Sequence, residues 1–121
     1  MKAHQMYFTN CHLAGRMYYD ADLVWDDLKI GLKVRLEREP DNHYDSNAIQ
    51  VIFNKDGEDY LLGYIPRSEN IQMAVLMDMG WDIFECRISR LNPEVHPEDQ
   101  VQLTIRVKKS NETSKTKRAT K

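Results

Sequence analysis

The chain has 121 residues, of which 41% are apolar, 17 basic and 19 acidic, for a formal net charge of −2. This is the size of one domain with enough apolar side chains to build a core, and it excludes a second catalytic module or a nucleotide-driven motor. The longest apolar run, residues 73–77, is far short of the roughly 20 residues that cross a bilayer.

In chain order, a first strand is expected over residues 7–13, where apolar and polar side chains alternate weakly. Residues 20–28 suit a short helical turn, with Asp20 as its cap, Val24 and Leu28 at i, i+4, and Gly31 ending it. Alternation is clear at 32–37 and 49–54, so each segment presents one apolar and one polar face. Asp56-Gly57 tolerates positive φ and predicts a hairpin turn, whose return strand, 59–65, stops at Pro66 because proline cannot donate to a ladder. A helix follows, with Ser68 as its cap, Glu69 near the positive end of its dipole and Gly80 in the left-handed position beyond it. Ile71, Ala74, Val75 and Asp78 fall on one stripe of that helix, and Met73, Leu76 and Met77 widen its apolar surface. Strands at 84–89 and 101–108 complete the set, the last with four apolar side chains on one face and four polar ones on the other. Six strands and one or two short helices, with no regular crossover helices, predict a mainly β fold: a small antiparallel barrel or sandwich.

Charge divides the chain more sharply than its net value suggests. From Lys108 onward six basic residues accompany one acid, giving +5, and the residues before it hold 11 basic and 18 acidic side chains, giving −7. Residues 110–121 contain no large apolar side chain and cannot offset the entropy of ordering. Residues 1–107 are therefore read as the folded body and 108–121 as a basic, disordered tail, either solubilising or able to meet phosphates. Residues 1–6 carry one positive charge and no following apolar stretch, so no secretory leader is expected. With only Cys11 and Cys86 present, reduced and buried thiols in a cytoplasmic protein are expected.

Catalytic signatures are missing from the sequence. Cys11 and His12 are adjacent and would point to opposite faces of a strand, Cys86, His4, His43 and His96 stand alone, and no metal is expected. The five glycines are scattered singly, so there is no phosphate-cradling loop, and Ser46 and Cys11 have no nucleophile signature around them. Neither enzymatic activity nor a cofactor is expected. Trp25 and Trp81 read as core anchors, Met73, Met77 and Met79 as core filler, and His96 as an exposed residue without a role.

The unusual stretch is 38–49, Arg38-Glu39-Pro40-Asp41-Asn42-His43-Tyr44-Asp45-Ser46-Asn47-Ala48-Ile49, which joins two strands. Its Asp and Asn side chains can brace the backbone, and a braced polar loop is also where ligand contacts tend to sit. Arg38-Glu39-Pro40, Asn42, Tyr44-Asp45, Asn47-Ala48-Ile49 and Val51, followed by Gly63-Tyr64-Ile65-Pro66-Arg67, resemble the signature of the HIRAN domain family. The likeness extends from about Phe8, through Ala14-Gly15, to the strand holding Cys86.

That resemblance implies a six-stranded, OB-fold-like barrel with accessory helices. Its best-understood members are N-terminal domains of large Swi/Snf-type DNA translocases, including the helicase-like transcription factor. There the domain binds single-stranded DNA at a free 3′-hydroxyl end and helps remodel stalled replication forks. Carried over by position, Tyr18 and Tyr19 match an aromatic pair that stacks on or braces terminal bases. Asn42, Tyr44 and Asp45 match loop residues around the terminal sugar, where a carboxylate accepting the 3′-hydroxyl proton would repel a terminal phosphate. Tyr64 and Arg67 match a strand-to-helix corner able to meet backbone phosphates. Met17 departs from this pattern, since a DNA-binding relative has arginine there, and Arg16 lies one residue earlier. Asp20, Asp22, Asp26 and Asp27 follow closely, so strong steering toward DNA is not expected from the body itself.

The expected function is a free-standing, non-enzymatic module that binds single-stranded DNA 3′ ends in repair or fork processing, working with a separate helicase, nuclease or other DNA-processing protein. The alternative is a protein-interaction adaptor that has lost DNA affinity and docks a partner through the acidic face at 20–27. An activity on nucleic acid ends with a metal at Asp45 is disfavoured, because one carboxylate is too few for a two-metal site.

Overall fold

The computed structural model describes residues 5–108. All six expected strands are present: β1 (Gln5–His12), β2 (Lys33–Arg38), β3 (Ile49–Lys55), β4 (Glu58–Tyr64), β5 (Phe84–Leu91) and β6 (Val101–Lys108). One α-helix, α1 (Arg67–Asp78), lies between β4 and β5. Lys108 ends β6, and the rest of the expected tail lies outside the described residues.

Every ladder is antiparallel and the strand order is β1-β6-β5-β2-β3-β4. The β3–β4 hairpin turns at Asp56 (φ 54°) and Gly57 (φ 90°), the left-handed pair that a two-residue type I′ loop requires. Apolar side chains from both ends of the sheet meet in one core, with Leu13, Ile49, Leu62, Ile88, Leu103 and Ile105 fully buried.

The sheet is not closed into a barrel, which corrects the OB-fold-like expectation. Its end strands meet only at an isolated bridge, Ala14↔Tyr64, because the chain leaves β1 at His12 and turns at Gly15 (φ 72°) into 3₁₀ turns. The β2–β5 ladder is short as well, holding only the pairs Lys33↔Arg87 and Val34↔Cys86.

The helix expected at 20–28 is also corrected, to two successive 3₁₀ turns, Asp20–Leu23 and Trp25–Asp27, preceded by another at Arg16–Tyr18. They still bury Val24 and Leu28 in the core. The start of α1 differs too: Pro66 occupies the cap position and Ser68 falls within the first turn, where its side chain makes no cap. Gly80 behaves as expected, at φ 93°, and the bonds Gly80 N–H to Met77 O (3.0 Å) and Trp81 N–H to Leu76 O (3.1 Å) form a Schellman closure.

The face of α1 turned to the core is Asn70, Met73 and Ala74, whereas Ile71 and Val75 are exposed. Polar anchors invisible to an apolar pattern set this rotation: Asn70 bonds to Asp45, and Asp78 pairs with Arg38. Truncating the fully buried Met73 to alanine would cost about 2–5 kcal/mol. Met79 and Trp81 are exposed rather than buried, because both follow the end of α1. Trp25 is partly buried, with the Arg16 guanidinium 4.5 Å over its ring. His96 is exposed but has a role, since its Nδ1 accepts the Glu98 N–H (3.1 Å) and caps a 3₁₀ turn.

Candidate nucleic-acid interface

The loop between β2 and β3 is braced by its own side chains. Asn42 Oδ1 accepts the N–H groups of Tyr44 (2.8 Å) and Asp45 (3.0 Å), and Asp45 Oδ1 accepts that of Asn47 (2.9 Å). Arg38 closes the loop from beneath, donating to the carbonyls of Ala48 (2.6 Å) and Ser46 (2.9 Å) while paired with Asp78 (2.9 Å). Bracing of this kind fixes the backbone before any ligand arrives, and it leaves the Tyr44 side chain 85% exposed.

Asp45 sits where this loop meets α1. Its Oδ2 accepts from the Asn70 amide at 2.8 Å and lies 3.7 Å from Arg67 Nε. Partial burial pushes its pKa up, but the bonds from Asn70 and Asn47 and the charges of Arg67 and Arg38 outweigh it, leaving the carboxyl below its ordinary value. Asp45 is thus an ionised acceptor at neutral pH. Arg67 also donates to the Tyr44 carbonyl, and its side chain is 70% exposed.

Glu39 joins the loop to the aromatic residues. A single oxygen, Oε1, accepts both the Tyr64 hydroxyl (2.6 Å) and the Asn42 amide (3.0 Å). Those two bonds, the Tyr64 one first, hold the Glu39 carboxyl below its ordinary pKa, against burial. Burial and then Glu39 push the Tyr64 phenol up to about 12. The Tyr64 ring meets the edge of Tyr19 at 5.4 Å.

A strap running from β1 carries the two tyrosines. The Ala14–Tyr64 bridge holds it with two 2.9 Å bonds, Glu98 accepts the Gly15 N–H at 3.2 Å, and the turn at Gly15 sets down Tyr18 and Tyr19. Gly63 permits the close approach, because a Cβ there would stand 2.6 Å from the Ala14 carbonyl oxygen. Tyr18 is 75% exposed and Tyr19 41%.

Six of the seven residues singled out from sequence, Tyr19, Asn42, Tyr44, Asp45, Tyr64 and Arg67, are linked by these contacts into one network. Tyr18 adjoins it through the backbone of the strap. Sequence reasoning gave no role to Glu39, Asn70 or Gly63, although Glu39 and Gly63 stand in the quoted motif. Arg16 is turned away from this surface: it is buried, paired with Asp22 at 2.7 Å, and its Nε has no hydrogen-bond partner among the described residues. Chemically, the surface offers exposed aromatic rings, an ionised acceptor and an exposed cation. No group of three His, Cys, Asp or Glu side chains able to hold a metal occurs among the described residues.

A family model for the HIRAN domain matches residues 6–110. The chain belongs to the HIRAN domain family. Its fold is similar to the crystal structure of a protein from Lactobacillus plantarum, with 28% identity, a TM-score of 0.69, and coverage of 85% of this chain and 94% of that one. It is also similar in fold to the crystal structure of the HIRAN domain of human HLTF, with 21% identity, a TM-score of 0.55, and coverage of 89% and 84% respectively. No curated protein matches the chain in sequence. Among the described residues no helix is long and apolar enough to cross a membrane.

Proposed function

We propose that this HIRAN domain is a cytoplasmic nucleic-acid-binding module that recognises single-stranded DNA at a free 3′-hydroxyl end, in repair or replication-fork processing. The observation that carries the reading is the ionised Asp45 carboxylate, fixed by Asn70 and Asn47 beside the exposed Tyr44 and Arg67. A carboxylate so placed accepts a hydrogen bond from a hydroxyl and repels a terminal phosphate. Tyr18, Tyr19 and Tyr44 supply faces on which any base can stack, at about 1–3 kcal/mol per base. The module itself catalyses nothing, so a helicase, nuclease or other DNA-processing partner would act on the end it holds.

Fluorescence anisotropy with 5′-labelled oligonucleotides ending in a 3′-hydroxyl or a 3′-phosphate tests this. At least tenfold tighter binding of the open end is expected, a difference of about 1.4 kcal/mol. Equal affinities, or no binding at low salt, would remove the reading.

A second reading, a protein-interaction adaptor, is favoured by one observation: Arg16 is withdrawn into an ion pair while Met17 is exposed and the acids Asp20 and Asp26 follow the tyrosines in the chain. A partner retained after nuclease treatment, and released by Asp20→Lys with Asp26→Lys, would support it over the first.

A further inference from the structure

A cleft of about 750 Å³ opens where β2 and β5 separate, at the C-terminal end of α1, and its lining includes none of Tyr18, Tyr19, Asn42, Tyr44, Asp45, Tyr64 and Arg67. Its apolar lining includes Leu32, Leu36, Phe53, Met77, Trp81 and Ile83. Five of these are partly buried against the core, and Trp81 stands 48% exposed at the mouth. The volume falls within the range of roughly 300–1,000 Å³ typical of ligand sites.

The walls specify the occupant. Ile88 N–H bonds to Leu32 O at 2.9 Å, and the register continues through Val34↔Cys86. Antiparallel ladders alternate, so the next hydrogen-bonded pair in this register is Leu36 with Phe84. The ladder stops before reaching them, and their main-chain groups face the gap from opposite walls. β2 uses its other edge for β3, through Arg35↔Ile52 and Glu37↔Gln50, and β5 uses its other edge for β6. Two open strand edges over an apolar floor are matched by an extended backbone, which carries donors and acceptors in the same repeat.

Charge narrows the choice further. Each cation at the rim already has an acid: Lys33 with Glu85, Arg35 with Asp59 and Glu37, Arg38 with Asp78, and Lys108 with Asp82. With Arg87 also on Glu85, five cations meet five acids, so a charged occupant finds no excess of opposite sign here, which disfavours both nucleic acid and the chain's own basic residues beyond Lys108. We propose that the cleft takes an extended, uncharged, apolar peptide segment of a partner protein, added as a strand between β2 and β5.

The test is to pan a displayed library of random heptapeptides on the full 121-residue chain, with an unrelated protein as control. Enriched sequences should be uncharged and apolar at alternate positions. A synthetic copy should shift Trp81 emission and slow hydrogen exchange at the Leu36 and Phe84 amides, which exchange faster than the Val34 amide in the free protein. Trp81→Ala, at an exposed position that leaves the fold intact by circular dichroism, should weaken binding at least tenfold. No enrichment above the control overturns the proposal. So do binders that leave those two amides unprotected, and so does displacement of the peptide by an oligonucleotide, which would assign the cleft to nucleic acid instead.

Discussion

Replacing Tyr64 with phenylalanine removes one hydroxyl and keeps the ring. The edge-to-face contact with Tyr19 at 5.4 Å survives, so Tyr64→Phe isolates the 2.6 Å bond to Glu39. A hydrogen bond to an ionised group is worth about 1.5–3 kcal/mol, and water reaches the half-open Glu39, so a loss of about 1.5 kcal/mol is expected. In a domain near this size that lowers Tm by about 6–12 °C. The pH profile makes the prediction specific. The Glu39 pKa is depressed by Tyr64 and Asn42, so its contribution is complete above the ordinary carboxylate value and is lost as pH falls through the lower folded one. The Tyr64 pKa is raised from 10.0 to about 12, by burial and then Glu39, so its contribution is complete below 10.0 and is lost as pH rises toward 12. Urea unfolding across pH should therefore show wild type and Tyr64→Phe furthest apart between about pH 5 and 10 and converging at both ends. A gap below about 0.3 kcal/mol, or one that does not vary with pH, would refute the role given to this bond.

Gly63→Ala should destabilise by about 1–3 kcal/mol and speed hydrogen exchange at Ala14 and Tyr64, since its Cβ meets a backbone oxygen that cannot swing aside; unchanged exchange at both amides would contradict the close approach. Asp45→Ala should reduce the preference for an open over a blocked 3′ end more than it reduces total affinity, and an unchanged ratio in the anisotropy comparison would reject the assigned role. Arg16→Met, which replaces a buried guanidinium by an apolar chain, should leave oligonucleotide affinity within about twofold, whereas a tenfold loss would mean that Arg16 serves the ligand. Burial, helped by Glu69, raises the Cys11 thiol to about 12, and burial raises Cys86 likewise, so neither should react with a thiol reagent at mildly alkaline pH until the protein unfolds.

What the sequence carried was local. Alternation located β2, β3, β5 and β6 and, more weakly, β1, and Asp56-Gly57 located the tight turn, and with it β4, because few residue pairs take positive φ twice in succession. The rotation of α1 was missed for a physical reason: its inward face contains Asn70, a polar residue buried because Asp45 awaits it across 25 positions of sequence. An apolar stripe cannot report a partner that distant. Closure was missed in the same way, since strand count and alternation say nothing about where a ladder ends. Ladder length depends on Gly15 diverting the chain after β1 and on β2 and β5 splaying beyond Val34↔Cys86. At the site, the motif delivered the residue types, but Glu39 could be recognised as the junction only once Tyr64 and Asn42 were seen to share its Oε1.

The charge distribution also bears on how such an interface would work. Residues before Lys108 carry −7, a field that opposes the approach of any polyanion. At the candidate surface charges pair locally, with Arg67 beside Asp45 and Arg38 on Asp78, while Arg16, turned away from it, pairs with Asp22. Of these cations Arg67 alone is largely exposed; Arg38 and Arg16 are spent inside the fold. Counterion release scales with the number of phosphates neutralised, so one exposed arginine supplies little of it. On the proposed reading, affinity must then come from ring faces and from the hydroxyl that Asp45 accepts, both confined to the last nucleotides of a strand. Duplex DNA keeps its base faces stacked and offers mainly phosphates, which this surface is poorly equipped to hold. On that same reading, an acidic body with a braced, aromatic corner would favour ends over lengths, giving up general affinity for nucleic acid and keeping the interactions that a free terminus can satisfy.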